Sequence, residues 1–235
     1  MDITTATALV TGANRGLGRA LAAELLARGA TVYAAARNPD QIDLPGVRPL
    51  AIDITDPASV EAAARIATDV NLLINNAGSA TGADLLGGDL DKIRLEMETH
   101  YFGTLAATRA FAPVIEANGG GAVFNILSVL SWVALPASGA YSAAKTAEWG
   151  LTNALRVQLA ARAIRVGGVY VAYMDTDMTK NVTAPKLDPA AVARTTVDGI
   201  ESDIFEVLAD DFTRSVQAKL SGGVADLYPQ LDVAR

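Results

Sequence analysis

Short runs of Val, Ile, Leu and Ala alternate along the chain with longer stretches in which apolar residues return every three or four positions. The runs at Thr7–Val10, Thr31–Ala35, Val47–Ile52, Leu72–Ile74, Ala122–Ile126, Arg165–Val171 and Ile204–Leu208 read as strands. Their near-continuous hydrophobicity suits strands covered on both faces. Between them, Gly16–Arg28 carries Leu17, Leu21 and Leu25 at helical spacing. Lys92–Ile115 reads as one long helix with Ile93, Met97, His100 and Thr104 on one face, and Gly139–Ala161 as another. Asp56-Pro57 and Asp188-Pro189 each set a capping carboxylate before a proline suited to the first helical turn. Strand and helix alternating from end to end predict an α/β fold, a parallel sheet with helices on both faces joined by right-handed crossovers. Two segments fit neither period, Ser79–Asp89 and Thr179–Leu187. Both follow strand ends, where an open sheet places its ligand crevice, so they are candidates for a substrate mouth.

With 235 residues, 51% of them hydrophobic and 19% charged, the chain can bury one substantial core and is short for two, so a single domain over 1–235 is expected. A formal net charge of −7 without a basic cluster argues against nucleic acid as a partner. The absence of cysteine excludes disulfides, thiol nucleophiles and thiolate metal sites, and a single histidine leaves no cluster for zinc or iron, so no metal is expected. Met1–Thr5 lacks the basic and apolar segments of a secretory signal. The longest apolar stretch, Ala122–Leu135, is broken by Asn125, Ser128 and Ser131 and is too short to span a bilayer. A cytoplasmic protein without a membrane partner is expected, and its chemistry must come from oxygen and nitrogen groups.

The first strand runs straight into Thr11-Gly12-Ala13-Asn14-Arg15-Gly16-Leu17-Gly18 and then a helix. Glycines in that setting sit where backbone must approach a pyrophosphate at a helix N-terminus, which favours a dinucleotide site over a merely tight turn. A site for NAD would offer a carboxylate to the adenosine ribose near the end of the second strand, yet Ala34-Ala35-Ala36-Arg37 stands there. Arg37 and Arg15 suit a 2′-phosphate instead, which makes NADP(H) the expected cofactor in preference to NAD(H). Their other reading is as solvated surface arginines.

Tyr141 and Lys145 are four apart on a predicted helix and so share a face, and Ser128 lies at a strand end thirteen residues before the tyrosine. A free tyrosine titrates near pH ~10, so it needs a neighbouring cation to exchange protons efficiently with an alkoxide at neutral pH. Lys145 can be that cation, and Ser128 can hydrogen-bond the substrate oxygen as charge develops on it. Such a pair arises by chance in many helices; its weight comes from following a glycine turn and a strand-end serine in one short α/β chain.

In this combination the chain resembles the short-chain dehydrogenase/reductase family over nearly all its length. Asn75-Asn76-Ala77-Gly78 is similar to that family's strand-four motif, and Asp53-Ile54 to its adenine contact. The resemblance implies a Rossmann-like, doubly wound parallel sheet of about seven strands in the order 3-2-1-4-5-6-7. It implies an NADP(H)-dependent oxidoreductase of the carbonyl reductase or alcohol dehydrogenase type. Tyr141 is then the general acid/base, Ser128 orients substrate, and Lys145 binds the nicotinamide ribose and lowers the tyrosine's pKa. Gly12, Asn14, Arg15, Gly16, Leu17, Gly18, Arg37, Asp53, Ile54, Asn76, Ala77 and Gly78 would line the cofactor, with Met174 and Thr176 meeting it beyond the sixth strand. A homodimer or homotetramer built through the two long helices is also implied.

Two departures stand out. Glu98-Thr99-His100-Tyr101-Phe102-Gly103 puts His100 where the family has an asparagine that holds a water for the proton relay. His100 can serve that relay, or be a core histidine satisfied by one carbonyl. After the sixth strand, where the family commonly has Pro-Gly, the chain reads Val171-Ala172-Tyr173-Met174-Asp175-Thr176-Asp177-Met178. Tyr173, Met174 and Met178, with Leu130 and Trp132, would then give a mainly apolar pocket for a small hydrophobic ketone, aldehyde or secondary alcohol, unless they are ordinary core. An NAD(P)-dependent epimerase or dehydratase and a non-catalytic NADP(H) sensor are the competing readings.

Overall fold

The computed structural model describes residues 1–234. The chain runs through β1 (Thr7–Thr11), α1 (Gly16–Ala27), β2 (Thr31–Ala36), β3 (Arg48–Ala51), α2 (Pro57–Ile66), β4 (Leu72–Asn75), α3 (Leu90–Met97) and α4 (Thr104–Ala117). It continues through β5 (Gly121–Ile126), α5 (Gly139–Leu159), β6 (Ile164–Tyr170), α6 (Pro189–Glu201), β7 (Glu206–Leu208) and α7 (Asp211–Ala218). The strands form one parallel sheet in the order β3-β2-β1-β4-β5-β6-β7, so the chain leaves β1 toward one edge and returns across it to β4. That reversal makes the switch point at which open sheets bind ligands.

Alternation along the strands divides the core in two. Val10, Ala34, Ile74 and Phe124 face α1 and α6 with Leu17, Leu21, Leu25 and Val197. Leu9, Ala35, Leu73 and Val123 face α2, α4 and α5 with Val60, Phe111, Leu151 and Leu155. Asp56 and Asp188 cap α2 and α6, each accepting a hydrogen bond from a first-turn N–H, with proline following as the sequence predicts. Among the described residues, no helix is long and apolar enough to cross a membrane.

The expected single helix Lys92–Ile115 is helical throughout but not uniform. Between α3 and α4, Glu98–Gly103 widens into a π-helical turn. Gly103 allows the helix to press on the segment after β3, since a Cβ there would lie 2.7 Å from Ile54 Cγ1. Glu96, Thr99 and His100, spaced three and four apart on one face leading into this turn, are all buried. The Ser79–Asp89 segment is irregular apart from turns, as its sequence predicts, and so is most of Thr179–Leu187, whose ends differ: Thr179 closes a 3-10 turn and Leu187 bridges Met174 in parallel.

Phe124 is fully buried, with its ring against the backbone of Gly167, where a Cβ would fall 2.4 Å from the ring. Phe124→Ala should cost about 3–5 kcal/mol. Urea unfolding checks this, and a midpoint unchanged from wild type would contradict the packing.

Candidate active site

A crevice of about 1250 Å³ opens along the carboxyl ends of the central strands. Its floor is the β1–α1 turn, where Gly12 and Gly16 take φ of +66° and +54°. A Cβ on Gly18 would sit 2.2 Å from the Gly12 carbonyl oxygen, and one on Gly12 would sit 2.9 Å from Ala77 Cα. No side chain caps the N-terminus of α1. The turn therefore offers bare backbone at a helix N-terminus, which fits the pyrophosphate of a dinucleotide. Thr11 and Asn76 fix the turn to β4. Thr11 Oγ1 accepts from the Asn76 and Ala77 amides at 2.9 and 3.0 Å, and Asn76 Nδ2 donates to the Thr11 carbonyl at 2.8 Å.

Farther along, the crevice is lined by Asn14, Arg15, Leu17, Arg37, Asp53, Ile54, Ala77 and Gly78. Arg37 is exposed, and β2 ends in buried Ala34, Ala35 and Ala36, so no carboxylate stands at that strand end. Arg15 reaches across to Asp177 at 3.0 Å, with both side chains largely exposed. The Asp53 carboxylate accepts from the Thr55 hydroxyl and amide, which hold its pKa below the ordinary value, with a smaller contribution from Arg37.

Ser128, Tyr141 and Lys145 meet on the opposite wall. Ser128 sits beyond β5, and its hydroxyl accepts from the Leu130 amide at 3.1 Å, opening a tight turn over Val129–Ser131. Tyr141 and Lys145 occupy adjacent turns of α5. Lys145 is 5% exposed, and Nζ donates to the Ile126 carbonyl and to Glu148 Oε2, both at 2.7 Å. Burial works against its charge, but Glu148 and Tyr141 outweigh it, so its pKa is raised. For Tyr141, burial pushes the phenol up; Lys145 pulls it down, Glu148 pushes it up, and Ser128 pulls it down. Lys145 therefore acts in the expected sense, yet the net direction in the protein without ligand is upward, because a desolvated phenolate is disfavoured and a carboxylate stands nearby.

His100 is buried in the same wall, its ring edge-on to Tyr141 with centroids 5.2 Å apart. Nε2 lies 2.9 Å from the Ser79 carbonyl oxygen, which can only accept, so that nitrogen carries the proton. Thus His100 does satisfy one carbonyl, as a core histidine would, and it lines the crevice as well. Nδ1 has no hydrogen-bond partner and lies 3.9 Å from Glu148 Oε2. Behind the ring, Glu96 is fully buried, 3.4 Å from Nε2, and accepts from the Ser79 hydroxyl and the Thr81 amide. Burial alone would raise its pKa, but hydrogen bonds with His100, Thr81 and Ser79 hold it down to about 2.

The model of the short chain dehydrogenase family matches residues 6–187. The chain belongs to the short-chain dehydrogenase/reductase family. A short-chain dehydrogenase from Burkholderia cenocepacia J2315, solved in complex with NADP, superposes with a TM-score of 0.93 at 39% identity, covering 98% of this chain and 99% of that one. The Drosophila melanogaster dehydrogenase/reductase SDR family protein 7-like is 30% identical over 95% of this chain and 77% of its own length. The Gallus gallus D-erythrulose reductase is 31% identical over 86% and 88% respectively. The protein is thus an oxidoreductase of a family that uses NAD(P)(H).

Of the residues singled out in the dehydrogenase sequence, Leu130, Tyr173, Met174, Thr176 and Met178 also line the crevice. Trp132 does not line it. The Val129–Ser131 turn carries it away, and its indole stacks on Tyr170 with centroids 4.2 Å apart. Two groups at the site escaped the sequence reading, Glu96 and Glu148. Charged residues on helices usually face solvent, and only their spacing from His100 and Lys145, four before and three after, places them on the same inward face.

The Glu96 pKa in the fold lies below its ordinary 4.5, so its contribution to stability is complete above that value and is lost as pH falls toward about 2. It amounts to about 3 kcal/mol. Urea unfolding across this acidic range should show a steeper loss of stability for wild type than for Glu96→Gln; equal slopes would contradict the assignment.

Proposed function

We propose that the protein is an NADP(H)-dependent carbonyl reductase, interconverting a small apolar ketone or aldehyde with its alcohol. The observation that carries this is the convergence of Ser128, Tyr141 and Lys145 on one wall of a crevice floored by the glycine turn. A nicotinamide dinucleotide bound there supplies or accepts the hydride. Tyr141 gives its phenolic proton to the carbonyl oxygen in reduction and takes one from the alcohol in oxidation. Lys145 uses two of its three N–H donors on Ile126 and Glu148, which leaves one for a ribose hydroxyl, and its charge favours the phenolate. The Ser128 hydroxyl donates to the substrate oxygen and stabilises the charge that gathers there. Leu130, Val133, Leu135, Tyr173 and Met178 line the outer crevice, which suits an apolar substrate.

The phosphorylated cofactor is favoured by the missing carboxylate at the end of β2 and by Arg15 and Arg37. The exposed Arg15–Asp177 pair is worth only about 0–1 kcal/mol, so Arg15 can leave it for a 2′-phosphate. The NADP in the Burkholderia cenocepacia structure supports the same choice. We place the protein in the cytoplasm as a homodimer or homotetramer. Half-exposed Phe102 after α3 and exposed Val157 on α5 give the long helices apolar surface for assembly.

Purified protein should oxidise NADPH in the presence of some members of a panel of apolar ketones and aldehydes; NADPH binding with no turnover on any would favour a sensor. Tyr141→Phe should lower turnover by at least about 100-fold while leaving NADPH affinity within about two-fold. Near-normal turnover would refute its role. Arg37→Asp should weaken NADPH binding by more than about tenfold and NADH binding far less. Equal losses in titrations of the two cofactors would remove Arg37 as the discriminator.

A further inference from the structure

A carboxylate buried beside an ammonium is tolerated only when it is paired and its remaining lone pairs are satisfied. Glu148 meets those conditions through separate parts of the fold. It is 2% exposed, and Oε2 accepts from Lys145 Nζ at 2.7 Å, one turn back on α5. Oε1 accepts from the Thr104 hydroxyl at 3.0 Å, at the start of α4. The orphaned Nδ1 of His100, in the π-helical turn, lies 3.9 Å from Oε2. Its own backbone carbonyl accepts from Thr152 Oγ1, which receives a bond from Asn125 of β5.

The titratable and charged groups facing the cluster are Tyr141, Lys145 and Glu148 from α5, Glu96 from α3 and His100 from the wide turn. From β5 and the segment after it, the Ile126 carbonyl and the Ser128 hydroxyl face it, neither of them charged. Lys145 is therefore already engaged by a full carboxylate at contact distance. An ammonium so paired stabilises a neighbouring phenolate less than an unpaired one does, because the two opposite charges offset each other at the phenol. Its orientation is also fixed before any ligand arrives, by two acceptors on different elements.

We propose that Glu148 is a positioning residue for Lys145: held by Thr104, it fixes the ammonium and tempers its field at Tyr141, and so sets the pH at which the phenol exchanges its proton. This rests on the catalytic reading of Tyr141 and Lys145. In this role Glu148 acts on Lys145 alone and passes no proton to or from the substrate.

The test is Glu148→Gln, which preserves shape and an acceptor for Lys145 but removes the charge. The ionisation of Tyr141 is read from near-ultraviolet tyrosinate absorbance, with Tyr141→Phe subtracted in each background, so the readout needs no turnover. Tyr141 should ionise about one pH unit lower in Glu148→Gln than in wild type, a tenfold change in its acid dissociation constant, while Glu148→Asp stays close to wild type. The limb of the pH–rate profile that requires phenolate should move the same way. Should the glutamine variant not fold, Glu148→Met removes the same charge with a flexible apolar chain and should give the same downward shift. A Tyr141 ionisation that stays in place or rises would overturn the proposal. A downward shift in a protein without turnover would leave the role of Glu148 standing and sink the catalytic reading; turnover with an unmoved limb and an unmoved titration would sink the role of Glu148 alone.

Discussion

The site depends on keeping one ammonium, that of Lys145, charged in a place that water scarcely reaches. A lone buried ammonium would shed its proton, since desolvation penalises the charged form. Here the Ile126 carbonyl and the Glu148 carboxylate hold it, and the carboxylate is held in turn by Thr104 and faced by His100. The segment from α3 to α4 thus does more than cover the sheet. It turns Glu96, His100 and Thr104, four apart in sequence, inward on one face that runs through the π-helical turn.

The opposite wall solves a different problem, bringing backbone close to an anion. Glycine at Gly12, Gly16 and Gly18 is required by positive φ at the first two and by the 2.2 Å approach of the Gly12 carbonyl at the third. Thr11 and Asn76 lock that turn to the end of β4 through hydrogen bonds to backbone. One wall is therefore built from main chain and the other from ionisable side chains, and the switch point between β1 and β4 puts them face to face.

Much of this was legible in the sequence, and for physical reasons. Parallel strands buried on both faces read as continuous apolar runs, so all seven were found within a residue or two of their ends. That the glycine turn and Ser128, Tyr141 and Lys145 share one crevice was legible because a strand–turn–helix and a four-residue helical spacing place residues predictably. The π-helical turn was not, since one extra residue in a helix leaves a pattern that still looks helical. Glu96 and Glu148 were missed because charge on a helix ordinarily signals solvent, and their burial is decided by partners from other elements. Trp132 was misplaced because proximity to Ser128 along the chain says nothing about the direction in which the Val129–Ser131 turn carries it.

The most direct test of the central claim is a crystal structure with NADP⁺ bound. A ribose hydroxyl of the nicotinamide nucleoside should accept the remaining Lys145 N–H at about 2.7–3.2 Å, with the Ile126 and Glu148 contacts retained and the Tyr141 hydroxyl beside the nicotinamide face. A nicotinamide lying outside this wall, or Lys145 turned away from it toward solvent, would contradict the proposed site.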